Sequence, residues 1–270
     1  MKQNKNTLLL IILMQTVAFW PVWEWFYTSF NDPSGNAWGI IPLMTAGVFL
    51  ISRKQPDSVN IRLLYVPVVL CLVYTVSFHI SPPSIRAAIA VFTLSLTASI
   101  LAFNKPIHIG ISGLLMLSLP VMPSLQFYFG YPMRVTSGML AVPLLQFSGF
   151  PVQLEGTLLN MNNILISIDA PCSGIKMMWA GLYLAMTLSC FYRLSVLKTI
   201  GILLLTFPVI IFGNTIRTTG LFFTESGIIQ LPSWSHNAIG MMAFLLISIT
   251  ILVIAERFKK EAPCKVSTSS

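Results

Sequence analysis

Three residues in the C-terminal half of the chain, Cys172, Arg217 and His236, are of the types that together perform nucleophilic acyl transfer. A thiolate is the nucleophile, and an imidazole titrating near neutral pH moves protons to and from it. A fixed guanidinium steadies the thiolate or the oxyanion of a tetrahedral intermediate. Cys172 follows Asp169-Ala170-Pro171 and precedes Ser173-Gly174, which opens an apolar run. A thiol there faces the positive end of a helix. With a nearby cation, for which Lys176 is one candidate, that field lowers a thiol pKa from its free value of about 8.5. Arg217 stands three residues after Asn214, so the two share a helix face, and His236 opens the last apolar run.

Each of the three also has an ordinary structural explanation. A lone buried Cys is usually a small hydrophobe, an Arg near a helix end snorkels to the interface, and a boundary His needs only solvent. The remaining cysteines, Cys71, Cys190 and Cys264, supply no paired spacing, and His79 and His108 are remote in sequence from each other and from His236. No disulfide on the outer face, no metal centre and no cofactor is therefore expected.

The elements that must position these side chains are membrane helices. Of the 270 residues, 55% are hydrophobic and 9% charged, against about 25% charged in a soluble domain. Runs of about 20 apolar residues, the length that spans a bilayer, recur from Thr7 to Ala255. The pattern predicts an all-α, polytopic transmembrane bundle of about eight helices, over 7–24, 37–52, 62–80, 84–103, 107–122, 174–192, 196–214 and 236–256. Trp20, Pro21, Trp23 and Glu24 after the first apolar run make no small-residue cleavage site, so the first helix is expected to be uncleaved.

The net charge of +8 sits in short loops, where it orients helices; it does not point to nucleic acid. Placing Lys2, Lys5, Arg53, Lys54, Arg62, Lys105, Arg193, Lys198 and the basic residues from Arg257 to Lys265 inside puts both termini in the cytoplasm. The segment holding Asp32 is then external, and Cys172, Arg217 and His236 share the outer face. The expected organisation is one integral membrane domain, 1–257, with N-terminal helices 1–122, an external or re-entrant segment 123–171 and helices 172–257. A cytoplasmic tail, 258–270, follows. Within 123–171, Ser137 to Phe150 is apolar but short and contains Pro143, which reads as re-entrant or interfacial. Val152 to Ile168, with alternating Ile164, Ile166 and Ile168, reads as a small extended or hairpin cap.

The residues Ala170-Pro171-Cys172-Ser173-Gly174-Ile175, Asn214-Thr215-Ile216-Arg217 after an apolar run containing Pro208, and His236 followed by Gly240 resemble the exosortase and archaeosortase family of membrane protein-sorting enzymes. The resemblance covers roughly 131–257; upstream, only helix number and hydropathy are similar. It implies a cysteine protease or transpeptidase of the bacterial inner membrane. Its partners would be exported proteins bearing a C-terminal signal of short motif, transmembrane helix and basic tail, and an acceptor that is an amine, a surface lipid or polysaccharide, or water. Cys172 would attack, Arg217 stabilise charge and His236 move protons, with Asp169, Ser173, Gly174, Lys176 and Asn214 in support. The family commonly has Glu-Ala before its cysteine and Arg where this chain has Lys176, which leaves subtype and recognition motif open.

Two other readings differ in class. A serine intramembrane protease would use Ser173 as nucleophile and His236 as base, but the usual glycine two residues before such a serine is missing. A non-enzymatic transporter or assembly scaffold would use Arg217 and Asp169 to line a pathway. No pair of broken helices in repeated halves accompanies them.

Overall fold

The computed structural model describes residues 5–30, 36–52, 56, 58–162, 164–229, 232 and 234–260. Lys2, Asp32, Arg53, Lys54 and Lys265, which enter the topology above, and Cys264 lie outside the described residues. The chain divides into two compact units, Met1–Val121 and Met122–Ser270.

The first unit holds α1 (Lys5–Ala18), α2 (Trp20–Phe30), α3 (Ile40–Ile51), α4 (Tyr65–Ser77), α5 (Pro83–Phe103) and α6 (Ile109–Leu117). The single first helix expected over 7–24 is broken at Phe19, two residues before Pro21. A proline deep inside a helix would clash with the carbonyl four residues back, whereas at the start of a new helix it is tolerated. The break delivers Phe19, 1% exposed, into the core, edge-on to Tyr74 at 4.8 Å. The centre of the unit is α5, which touches α1, α2, α4 and α6. Its Ala87, Ala90, Thr93, Ser95, Thr97 and Ser99 are all buried. Small residues let neighbouring backbones approach, and the hydroxyls return to the helix's own carbonyls, as in Thr93 to Ile89 O at 2.7 Å and Ser99 to Ser95 O at 2.7 Å.

The second unit holds α7 (Met122–Phe147), β1 (Val152–Glu155), β2 (Leu158–Met161), β3 (Ile164–Ser167), α8 (Ile175–Phe191), α9 (Val196–Glu225) and α10 (Ser235–Lys260). Three differences from expectation lie here. The short apolar stretch 137–150 is part of a continuous 26-residue helix, α7, that keeps Pro132 and Pro143 inside it. Both prolines lie on the exposed face of the helix, and within a membrane helix a carbonyl that loses its N–H partner to a proline is re-satisfied by local adjustment of the turn. The extended cap is a three-stranded antiparallel sheet in the order β1-β2-β3, one strand more than a hairpin. Its two-residue loops begin with Gly156 (φ +64°) and Asn162 (φ +51°), the left-handed backbone that tight hairpins demand. Finally, α9 does not stop at 214 but runs on to Glu225.

The sheet turns Val152, Leu159, Met161, Ile166 and Ile168 onto Leu145 of α7 and Leu221 and Phe222 of α9. Below it, α8, α9 and α10 share a core of Ile175, Met177, Met178, Ile202, Ile210, Ile247 and Ile251. The approach of α9 to α10 depends on Gly213, where an added Cβ would fall 2.3 Å from Ile247 Cγ1. Among the described residues, three helices, Pro83–Phe103, Val196–Glu225 and Ser235–Lys259, are individually long and apolar enough to cross a membrane. The architecture is the all-α, membrane-type one expected.

Candidate active site

All the sequence-predicted site residues fall in the second unit. The strand β3 leads through Asp169 into a 3-10 turn, Ala170–Cys172, closed by hydrogen bonds from Cys172 N to Asp169 O (2.9 Å) and Ser173 N to Ala170 O (3.2 Å). Gly174 then takes a left-handed φ of +82° before α8 begins. A side chain there would be strained by the backbone and would also meet Asn214 Cγ at 2.8 Å, so only glycine fits. Asn214 is fully buried. Its Nδ2 donates to Ser137 Oγ at 2.8 Å and to Cys172 O at 3.3 Å, tying α7, the cysteine turn and α9 together.

The turn places Cys172, 7% exposed, with its Sγ 3.8 Å from His236 Nε2 in the first turn of α10. The opposite ring nitrogen, Nδ1, lies 3.4 Å from Oε1 of Glu225, the last residue of α9. Arg217 runs beside Gly240, one turn into α10 from His236: a Cβ at Gly240 would come within 3.3 Å of Arg217 Nε. The Cys172 thiol is pushed up from its ordinary pKa, first by burial. Arg217 opposes that shift by charge and, more weakly, by hydrogen bonding, whereas Glu225 and Asp169 add to it.

This corrects the expected means of activation. Cys172 lies in the 3-10 turn, two residues before Gly174, the N-cap of α8, and burial is the largest influence on its thiol, raising the pKa instead of lowering it. The cation that acts on it is Arg217. Lys176 has an exposed side chain and is not among the charges bearing on the thiol.

Ser173, 1% exposed, donates its hydroxyl to Gln126 Oε1 at 3.0 Å, and Gln126 Nε2 reaches Ala170 O at 3.4 Å. Its position is that of a brace between the cysteine turn and α7. Arg134 of α7 adds a second brace, donating to Ile168 O at 3.5 Å. A small pocket beside the thiol is walled by Leu159, Ile166, Leu221 and Phe222, with Thr218 and Glu225 as its polar edge. Thr218, 5% exposed, has a hydroxyl without a partner among the described residues.

Sequence reasoning missed Glu225, Thr218 and Gln126. Asn214, Thr218, Leu221 and Glu225 are spaced by four, three and four, the repeat of one helix face. Reading α9 as continuing past Arg217 would have brought Glu225 to the same wall as Asn214. Gln126 could not be found, because its partners lie 44 and 47 residues away.

Fold and site together define a polytopic helical membrane protein in which a buried thiol, an imidazole and a guanidinium meet where three helix ends converge. The family model for transmembrane exosortases (Exosortase_EpsH) matches residues 2–253, so the chain belongs to the transmembrane exosortase family. The match extends through both units and well upstream of the motifs that suggested it. No curated protein and no solved structure matches the chain. Family membership supports a membrane transpeptidase role, carried out by an enzyme.

Proposed function

We propose that the protein is a cysteine transpeptidase of the bacterial inner membrane, with both termini cytoplasmic and Cys172 at the outer face. It would cleave exported proteins that carry a C-terminal sorting signal made of a short motif, a transmembrane helix and a basic tail. The observation that carries this reading is the approach of Cys172 Sγ to His236 Nε2, beside Arg217, in a chain of the exosortase family.

Because burial keeps the thiol protonated, His236 acts as general base: Nε2 takes the Sγ proton as sulfur bonds to the substrate carbonyl carbon. Arg217 offsets the charge that collects on the carbonyl oxygen. Collapse of the tetrahedral intermediate breaks the C–N bond, and His236 passes its proton to the departing amine. A thioester on Cys172 remains. An acceptor amine, on a surface lipid or polysaccharide, or water then attacks the thioester. His236 removes its proton and returns one to sulfur, so the enzyme ends unchanged. Ser173 is disfavoured as nucleophile, since its hydroxyl is buried and its proton is given to Gln126 Oε1, whereas the sulfur of Cys172 is the group at His236 Nε2.

The test compares membrane and secreted proteins from cells carrying the wild-type enzyme or Cys172→Ala. Retention of C-terminal hydrophobic peptides in the mutant, on proteins sharing a short motif, is the expected result. Identical C-termini in both strains would point instead to a transporter or scaffold.

A further inference from the structure

We infer that Glu225 is a positioning residue for His236, its carboxylate accepting the Nδ1–H so that the Nε2 lone pair is presented to the Cys172 thiol. The inference rests on the proposed thiol chemistry and adds a residue to it. An imidazole has one proton to place when neutral, and which nitrogen carries it is decided by the better acceptor. At Nδ1 the acceptor is Glu225 Oε1 at 3.4 Å; at Nε2 the neighbour is a thiol at 3.8 Å, which is itself a donor. With the proton on Nδ1, both contacts are satisfied in the sense that base catalysis requires. With the proton on Nε2, a bare Nδ1 lone pair would face a carboxylate while two donors opposed each other across the Cys–His contact.

The arrangement is local to three helix ends. Glu225 terminates α9, His236 opens α10, and Cys172 ends the turn before α8. The charged and titratable groups acting around the pair are Asp169, Cys172 and Arg217. Arg217 stands two turns before Glu225 on α9, so the cation that favours the thiolate and the anion that favours the imidazolium come from one rigid element. As Sγ loses its proton, positive charge appears on His236 next to Glu225 and negative charge on sulfur near Arg217. Each developing charge thus has its own counter-charge, which lowers the cost of separating them in a partly buried site.

The experiment reads which ring nitrogen of neutral His236 carries the proton, by 15N NMR of the histidine-labelled, detergent-solubilised full chain, the His236 signals being assigned by their loss in His236→Gln and followed in Glu225→Ala and Glu225→Asp. The proton is expected on Nδ1 in wild type and in Glu225→Asp, and to lose that preference in Glu225→Ala, which removes the acceptor. In cells, processing of a protein that accumulates in the Cys172→Ala strain is expected to slow about tenfold or more in Glu225→Ala and to recover in part in Glu225→Asp. A tautomer unchanged in Glu225→Ala, or a changed tautomer with undiminished processing, overturns the assignment. If wild-type cells process no protein while the tautomer still changes, the His–Glu pairing stands and the transpeptidase reading is the part that fails.

Discussion

At the scale of single residues, the site sets burial against charge around one sulfur. Burial holds Cys172 in its neutral form, Arg217 draws it toward the thiolate, and Glu225 and Asp169 push it back. An acid whose ordinary pKa is raised loses its proton only at higher pH. Alkylation of Cys172 by iodoacetamide is therefore expected to rise with pH through a midpoint above that of free cysteine, about 8.5. Arg217→Gln removes the largest opposing influence, so the midpoint should climb further and alkylation at pH 7.5 should slow by roughly 3- to 10-fold. A midpoint near 7 in the wild type would mean that the resting enzyme holds a thiolate–imidazolium pair, contrary to the base mechanism. Asn214 has a different part. Asn214→Leu leaves Ser137 Oγ and Cys172 O without their donor, which at buried positions costs about 1–3 kcal/mol. The expected readout is a lower unfolding temperature in detergent together with faster, less pH-dependent alkylation of a loosened Cys172.

At the scale of elements, the site works only if α9 and α10 stay in register, because α9 carries Arg217 and Glu225 and α10 carries His236. Gly213 sets their separation: a methyl group there would overlap Ile247 at 2.3 Å. Gly213→Ala is expected to spread the two helices and move His236 from Cys172, with processing reduced about tenfold or more. Ile247→Ala in the same chain should restore part of it, since the room lost on one helix is returned on the other. No recovery in the double variant would show that Gly213 matters for some reason other than clearance. The same pair of helices explains what was legible beforehand. Cys172, Arg217 and His236 were found because each stands near the end of an apolar run, and apolar runs are what a membrane sequence displays most plainly. Glu225 escaped because the apolar run ends at Asn214, just before Arg217: polar and charged residues mark a membrane boundary, but a helix need not stop there. α7 escaped because Pro132 and Pro143 are breakers in water yet stay inside this helix, on its exposed face. The third strand was obscured by its shortness, four residues joined through a two-residue loop.

At the scale of the whole molecule, the second unit has two chemically opposite ends. Cys172, Glu225 and His236 lie at one end of α8, α9 and α10. At the other, roughly 25 Å away along the 17 residues of α8, Lys198 Nζ donates to Phe258 O at 2.6 Å and Lys259 Nζ stands 5.0 Å from the centre of the Tyr192 ring. Basic residues gathered at one end of a helix bundle are retained on the cytoplasmic side. The basic end of the second unit supports the proposed orientation without the loops that lie outside the described residues. It can be tested on a chain whose four native cysteines are replaced by alanine, with single reporters introduced at Trp234, exposed beside the site, or at Ser195, exposed at the basic end. An impermeant maleimide is expected to label Trp234→Cys in intact spheroplasts and Ser195→Cys only after the membrane is opened. The reverse pattern would place the thiol chemistry in the cytoplasm, where an exported protein's folded domain is no longer available to it. Labelling of both in intact spheroplasts would mean that these three helices do not separate two compartments. The sorting-signal reading would then fail with them, since it requires a substrate helix and a catalytic end held in the same bilayer.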